Sequence, residues 1–133
     1  MPITVELREN GRVIYAVFTY PYTLAEAVTG RDEEQRLRDH ATGSGVIHSL
    51  INLSGSIKAP SGVLRVARYG PSFTHPTRGK VTIVGASLFG QTISKMAAKL
   101  AQRPMEIYFF RTEDEAWAFL RKTIAQEAQP VAG

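Results

Sequence analysis

The chain has 133 residues, 44% of them hydrophobic and 21% charged, with no cysteine. This describes one ordinary globular domain and excludes a disulfide framework, a thiolate metal site and a cysteine nucleophile. Sixteen basic against 12 acidic residues give a formal charge of +4. The cations are scattered rather than gathered on one face, so no nucleic-acid partner is expected.

No apolar run approaches the roughly 18 residues of a membrane span. The start, Met-Pro-Ile-Thr-Val-Glu, lacks the basic and apolar stretches of a secretion signal. A cytoplasmic chain without a membrane span is therefore expected.

In chain order, Ile3, Val5 and Leu7 alternate with Thr4 and Glu6, the pattern of a half-buried strand. Asn10-Gly11 is a hairpin signal, and Val13 to Tyr20 is rich in β-branched and aromatic residues. These two strands should form an antiparallel hairpin. Thr23-Leu24-Ala25-Glu26 has capping-box spacing and opens a helix through Arg38, weakened in its middle by Gly30. Val46 to Leu53 is a third strand, and its nearly continuous apolar character implies burial on both faces. Ser61 to Tyr69 reads as a short helix, and Gly70 to Gly79, with Pro71 and Pro76, as a loop. Lys80 to Val84 is strand four. Leu88 to Gln102 is a helix with Phe89, Ile93, Met96, Ala97 and Leu100 on one face. Met105 to Phe110 is strand five. Thr112-Glu113-Asp114-Glu115 is a second capping box, leading into a helix with Trp117, Leu120 and Ile124 inward. The domain is expected to end at 126, with 127–133 a flexible tail.

The order ββαβαβαβα implies a single α/β domain: a mixed five-stranded sheet with an N-terminal antiparallel hairpin and about four helices.

Most chemical motifs fail on inspection. Gly85 to Thr92 follows a strand and fits a phosphate-binding loop, except that Gln91 stands where the lysine must reach the phosphates. His40, His48 and His75 have no metal-ligand spacing, so no metal and no cofactor is expected. His48 reads as a satisfied core residue and His75 as an exposed loop residue. Glu113, Asp114 and Glu115 are accounted for by the helix dipole they complement. No Gly-x-Ser-x-Gly elbow is present, and Tyr15, Phe18, Tyr20 and Tyr22 read as strand packing. No catalytic constellation emerges.

The stretch Leu50 to Gly62 carries a more definite signal. Ile51-Asn52-Leu53-Ser54 closes a strand, and Ala59-Pro60-Ser61-Gly62 opens a helix. This resembles the signature of STAS domains, the sulfate-transporter and anti-sigma-factor-antagonist superfamily. There the strand ends Leu-Asp-Leu-Ser and the helix opens Asp-Ser-Ser-Gly. The run Ile107 to Leu120, and His75-Pro76 before a Val-rich strand, are similar to the SpoIIAA-like branch. The chain departs from the pattern at Asn52 and Ala59, where the family has aspartates, and at Pro60, where it has a serine. The resemblance implies a STAS-like fold, a protein partner and a phosphorylatable serine at Ser61. From the residues alone, Ser61 reads first as an N-cap, serine being preferred there whether or not it is regulated.

Two functional readings follow. The first is a non-enzymatic regulatory or protein-interaction domain, modulated at Ser61, with a possible homodimer. The second is a small-molecule, anion or lipid-binding module using the loops at the carboxyl ends of strands three and four, where open α/β sheets place ligands. The residues marked for either are Asn52, Ser54, Ser56, Gly62, Arg65, Gly85, Ser87 and Gly90.

Overall fold

The computed structural model describes residues 2–41, 45–55, 62, 66, 70–86, 91, 95, 99 and 106–128. They include five strands, β1 (Ile3–Arg8), β2 (Val13–Thr19), β3 (Ile47–Gly55), β4 (Arg78–Val84) and β5 (Ile107–Phe110). Three helices are described among them, α1 (Leu24–His40), the single turn α2 (Pro71–Thr74) and α3 (Glu113–Ala128). The strands form one sheet in the order β1-β2-β3-β4-β5. β1 and β2 are antiparallel and the other three pairings are parallel, the expected mixed sheet. The expected helices at 61–69 and 88–102 lie almost wholly outside the described residues, although Val66, Gln91, Lys95 and Lys99 have helical backbone.

The β1–β2 hairpin does not use a two-residue Asn-Gly turn. Arg8 pairs with Val13, and Glu9, Asn10 and Gly11 all have positive φ (57°, 56° and 80°). Asn and Gly tolerate that conformation best, so the signal marked the hairpin but not its turn.

The face of the sheet toward α1 carries Ile3, Ala27 and Tyr22 in one cluster and Phe73, Val81 and Ile83 in another. α1 opens with the capping box at Thr23 and Glu26. Gly30 in its middle is a packing requirement: a Cβ there would stand 3.0 Å from Ile3 Cγ2. On the opposite face, Val13, Leu50, Val84, Ala116, Trp117 and Leu120 form the core under α3. β3 is thus covered on both sides, as its apolar run implies.

The segment read as a loop at 70–79 holds a buried turn. Pro71, Ser72 and Phe73 of α2 are buried, and His75 is buried rather than exposed. α2 is tied down by polar contacts. Arg38, only 1% exposed, pairs with Glu34 at 2.8 Å and donates to the Ile47 carbonyl, Thr77 Oγ1 and Ser49 Oγ. Ser49 Oγ meets Ser72 Oγ at 2.9 Å, and Ser72 donates to the same Glu34 carboxylate. The ring is closed, and among the described residues no buried side-chain polar atom lacks a partner. Burial lowers the Arg38 pKa, and the Glu34 charge and hydrogen bond act against that fall.

α3 also runs further than expected. It continues to Ala128, so positions 127 and 128, assigned to the tail, belong to the folded domain. Glu127 anchors them: its carboxylate bonds His48 Nε2 at 2.5 Å and Arg12 at 2.9 Å.

Arg38→Ala should cost about 3–5 kcal/mol in urea unfolding, because it strands a poorly hydrated carboxylate and three acceptors at once. Ser72→Ala, which removes one hydroxyl from the ring, should cost about 1 kcal/mol.

Candidate functional site

The carboxyl ends of β2, β3 and β4 bring together four of the marked residues or their neighbours. Asn52 lies near the end of β3 with its side chain toward α3. Its Nδ2 donates to Glu113 Oε2, and its Oδ1 accepts the Ser54 N–H at 2.8 Å. Only this amide orientation satisfies both groups. Glu113 is the first residue of α3, and its Oε2 also accepts the Tyr15 hydroxyl at 2.5 Å. Its Oε1 accepts Trp117 Nε1 at 3.3 Å. The Arg8 guanidinium sits 4.7 Å from the centre of the Tyr15 ring.

The sequence account of Glu113 was therefore incomplete. It lies in the first turn, where an acid complements the helix dipole, but its carboxylate also receives three side-chain donors from three elements. Tyr15, read as strand packing, does pack at 5.5 Å against Trp117 while its hydroxyl completes the cluster. The legible signal was parity and period. His48, Leu50 and Asn52 alternate onto one face of β3, and Glu113, Trp117, Leu120, Ile124 and Glu127 recur at helical spacing. A polar residue amid the apolar run requires a polar partner on the covering helix.

The electrostatics follow from this geometry. Burial pushes the Glu113 carboxyl up, but the bonds from Tyr15, Asn52 and Trp117 outweigh it and hold the group below its ordinary value. Burial, then the Glu113 hydrogen bond and charge, push the Tyr15 phenol up to about 12.

Of the remaining marked residues, Ser54, Gly62 and Gly85 are described. A Cβ on Gly85 (φ +71°) would stand 2.4 Å from Ser54 Oγ and 2.8 Å from Ser54 Cα, so the turn after β4 abuts the exposed end of β3 only because residue 85 is glycine. Gly62 (φ +86°) packs against Leu24, where an added Cβ would be 3.2 Å from Cδ2. Leu24 is 38% exposed and Tyr20 39%, so Tyr20 is not the strand packing expected of it. In the phosphate-loop look-alike, Gln91 Nε2 turns back to the Ala86 carbonyl at 3.4 Å. Ser56, Ser61, Arg65, Ser87 and Gly90 lie outside the described residues.

The histidines do not converge. His75 Nε2 bonds Asp39 at 2.8 Å, while its Nδ1 accepts the Thr77 N–H at 3.1 Å. His48 is at the far end of β3. Among the described residues no group of three or more His, Cys, Asp or Glu is placed to hold a metal ion. No helix among them is long and apolar enough to cross a membrane.

No family model, curated protein or solved structure matches this chain.

Two measurements check the cluster. Tyr15 has a raised folded pKa, so its contribution to stability is present below the unfolded value near pH 10 and is lost as pH rises toward about 12. Tyrosinate absorbance should show one late-titrating phenol that Tyr15→Phe removes. Glu113 has a depressed folded pKa, so its contribution is present above its ordinary value and is lost as pH falls through the lower one. Asn52→Asp should destabilise the fold by about 1–3 kcal/mol in urea, because it replaces a donor to Glu113 with a second carboxylate. The loss should shrink at acid pH, where either carboxyl takes a proton.

Proposed function

We propose that this chain is a non-enzymatic protein-interaction domain, STAS-like in plan, whose working face is the carboxyl end of β2 to β4. The observation that carries the reading is the contrast between the rim and the floor of that end. On the rim, Tyr20 and Leu24 present apolar surface beside Gly62, and Ser61 is the residue before that glycine. On the floor, both Glu113 oxygens, the Tyr15 hydroxyl and the Asn52 amide are engaged with one another. A carboxylate held this way, below its ordinary pKa, is a poor general base. An exposed ring and a branched side chain beside a helix start are what a partner's apolar anchor needs.

The departures from the family pattern fit the same reading. Asn52 replaces the strand-end aspartate, and Glu113 returns a negative charge to that corner from α3. The acid is thereby locked to Tyr15 and Asn52. If Ser61 is the regulated residue, a phosphate there adds close to two negative charges one position before Gly62, the glycine that packs against Leu24. It would act on a partner's contact surface more than on the fold.

Cross-linking in the host should capture a partner with the wild-type chain. Tyr20→Glu and Leu24→Glu should lose it while leaving the melting temperature within a few degrees, since both side chains are exposed. Retention of the partner by both variants overturns the assignment of this face. For the switch, incubation with host lysate and ATP followed by mass spectrometry should place phosphate on Ser61, and Ser61→Asp should mimic its effect on capture. An unmodified Ser61 in wild-type protein recovered across growth conditions removes the switch and leaves the interface.

A further inference from the structure

The opposite end of the sheet holds an open cleft of about 730 Å³. Its walls include Val46 just before β3, His48 in β3, Pro76, Arg78 and Lys80 at the start of β4, and Glu127 in the last turn of α3. This volume is in the range of small-molecule sites. It lies across the sheet from the face assigned to a protein partner, and it belongs to neither reading made from the sequence.

The cleft floor is shaped by an irregularity in the sheet. Ile47 pairs with Arg78 and Ser49 with Val81, so His48 faces two residues, Gly79 and Lys80. Such a bulge re-aims the side chains around it. His48 Nδ1 accepts the Lys80 N–H at 2.9 Å, which leaves the proton on Nε2, facing Glu127 Oε1. A Cβ on Gly79 would meet both His48 Nδ1 and Val46 Cγ1 at 2.5 Å. Glycine is what lets the imidazole and the valine close over the bulge.

The charges in the cleft are not all neutralised. Glu127 is spoken for by His48 on one oxygen and Arg12 on the other. Lys80 Nζ is 3.8 Å from Glu106, whose side chain is 61% exposed, a loose pair. Arg78 donates from Nη1 to the His75 carbonyl and has no carboxylate partner among the described residues. Its planar fork therefore retains donors suited to a two-point contact with an oxyanion. Beside these cations stand apolar groups. Val46 is 40% exposed, and Pro76 also lines the cleft.

We infer that this cleft binds a small organic oxyanion, a carboxylate or phosphate monoester held by Arg78 and Lys80, with its apolar body against Val46 and Pro76. The anion displaces the loose Glu106 contact at Lys80. His48 and Glu127 form the fixed wall.

The test is titration of the isotope-labelled full chain with benzoate, phenyl phosphate, inorganic phosphate and benzyl alcohol, followed by backbone amide resonances. Benzoate or phenyl phosphate should move the Val46, Gly79 and Lys80 amides saturably, with a Kd near or below about 1 mM. Whichever of the two binds more tightly identifies the head group. Inorganic phosphate and benzyl alcohol, each holding half of the recognition, should bind at least about tenfold more weakly. Arg78→Gln should weaken the better ligand by about tenfold, and Lys80→Gln, which leaves Arg78 in place, supplies the same comparison should the first variant unfold. The proposal is overturned if neither organic anion saturates these amides. It is equally overturned if benzyl alcohol binds as well, if inorganic phosphate alone accounts for the affinity, or if the folded variants bind like the wild-type chain.

Discussion

The face of the sheet opposite α1 depends on one helix being held in one place. With the strands in consecutive order, α1 and α2 sit on the same face as parts of parallel crossovers. α3, which follows the last strand, covers the other. Leu120 and Trp117 supply the apolar contact, which is strong but does not specify position along the sheet. Position is specified at the two ends. Glu113 takes hydrogen bonds from Tyr15 and Asn52, and Glu127 takes them from His48 and Arg12. A slide of α3 along β3 would separate all four partners, leaving polar groups without partners at a cost of about 1–3 kcal/mol each.

β3 carries the complementary constraint. It is the middle strand, and its first four residues are buried on both faces, yet its sequence is Ile-His-Ser-Leu-Ile-Asn-Leu-Ser-Gly. His48 and Asn52 point to α3, and Ser49 points to Arg38 and Ser72 on the other side. Each polar residue has a partner on the element covering it. The Arg38 ring does for α1 and α2 what the two glutamates do for α3: it converts a non-directional apolar contact into a defined docking.

This arrangement separates the two ends of the sheet by chemistry. At the carboxyl end Glu113, Tyr15 and Asn52 are engaged with one another, and the exposed large apolar side chains described there are Tyr20 and Leu24. At the amino end, the Lys80 N–H and Glu127 engage His48, but Arg78 has no carboxylate partner among the described residues and Lys80 is loosely paired. The proposed protein contact at one end and the proposed small-anion contact at the other both rest on which groups the fold has already used. α3 joins the two, since Glu113 and Glu127 belong to one helix.

Local sequence determined the strands, the hairpin, the capping box of α1, the Thr112 cap of α3 and the burial of the first half of β3. Each rests on a short-range rule: alternation along a strand, an oxygen placed three residues before a free N–H, or a run too apolar to face water. Asn52, Ser54 and Gly85 were also legible as neighbours, because parallel strands place their carboxyl ends together. What tertiary structure decided was the set of partners. Glu113 looked like a dipole acid and Tyr15 like packing, since nothing nearby in the chain says that residues 15, 52 and 113 meet. His75 and α2 looked like an exposed loop because the α1 groups that hold them, Glu34 on Ser72 and Asp39 on His75, lie more than 30 positions earlier. The cleft at Gly79 was invisible for the same reason: its shape comes from one extra residue in β4 opposite His48. A pairing register is a property of two strands together.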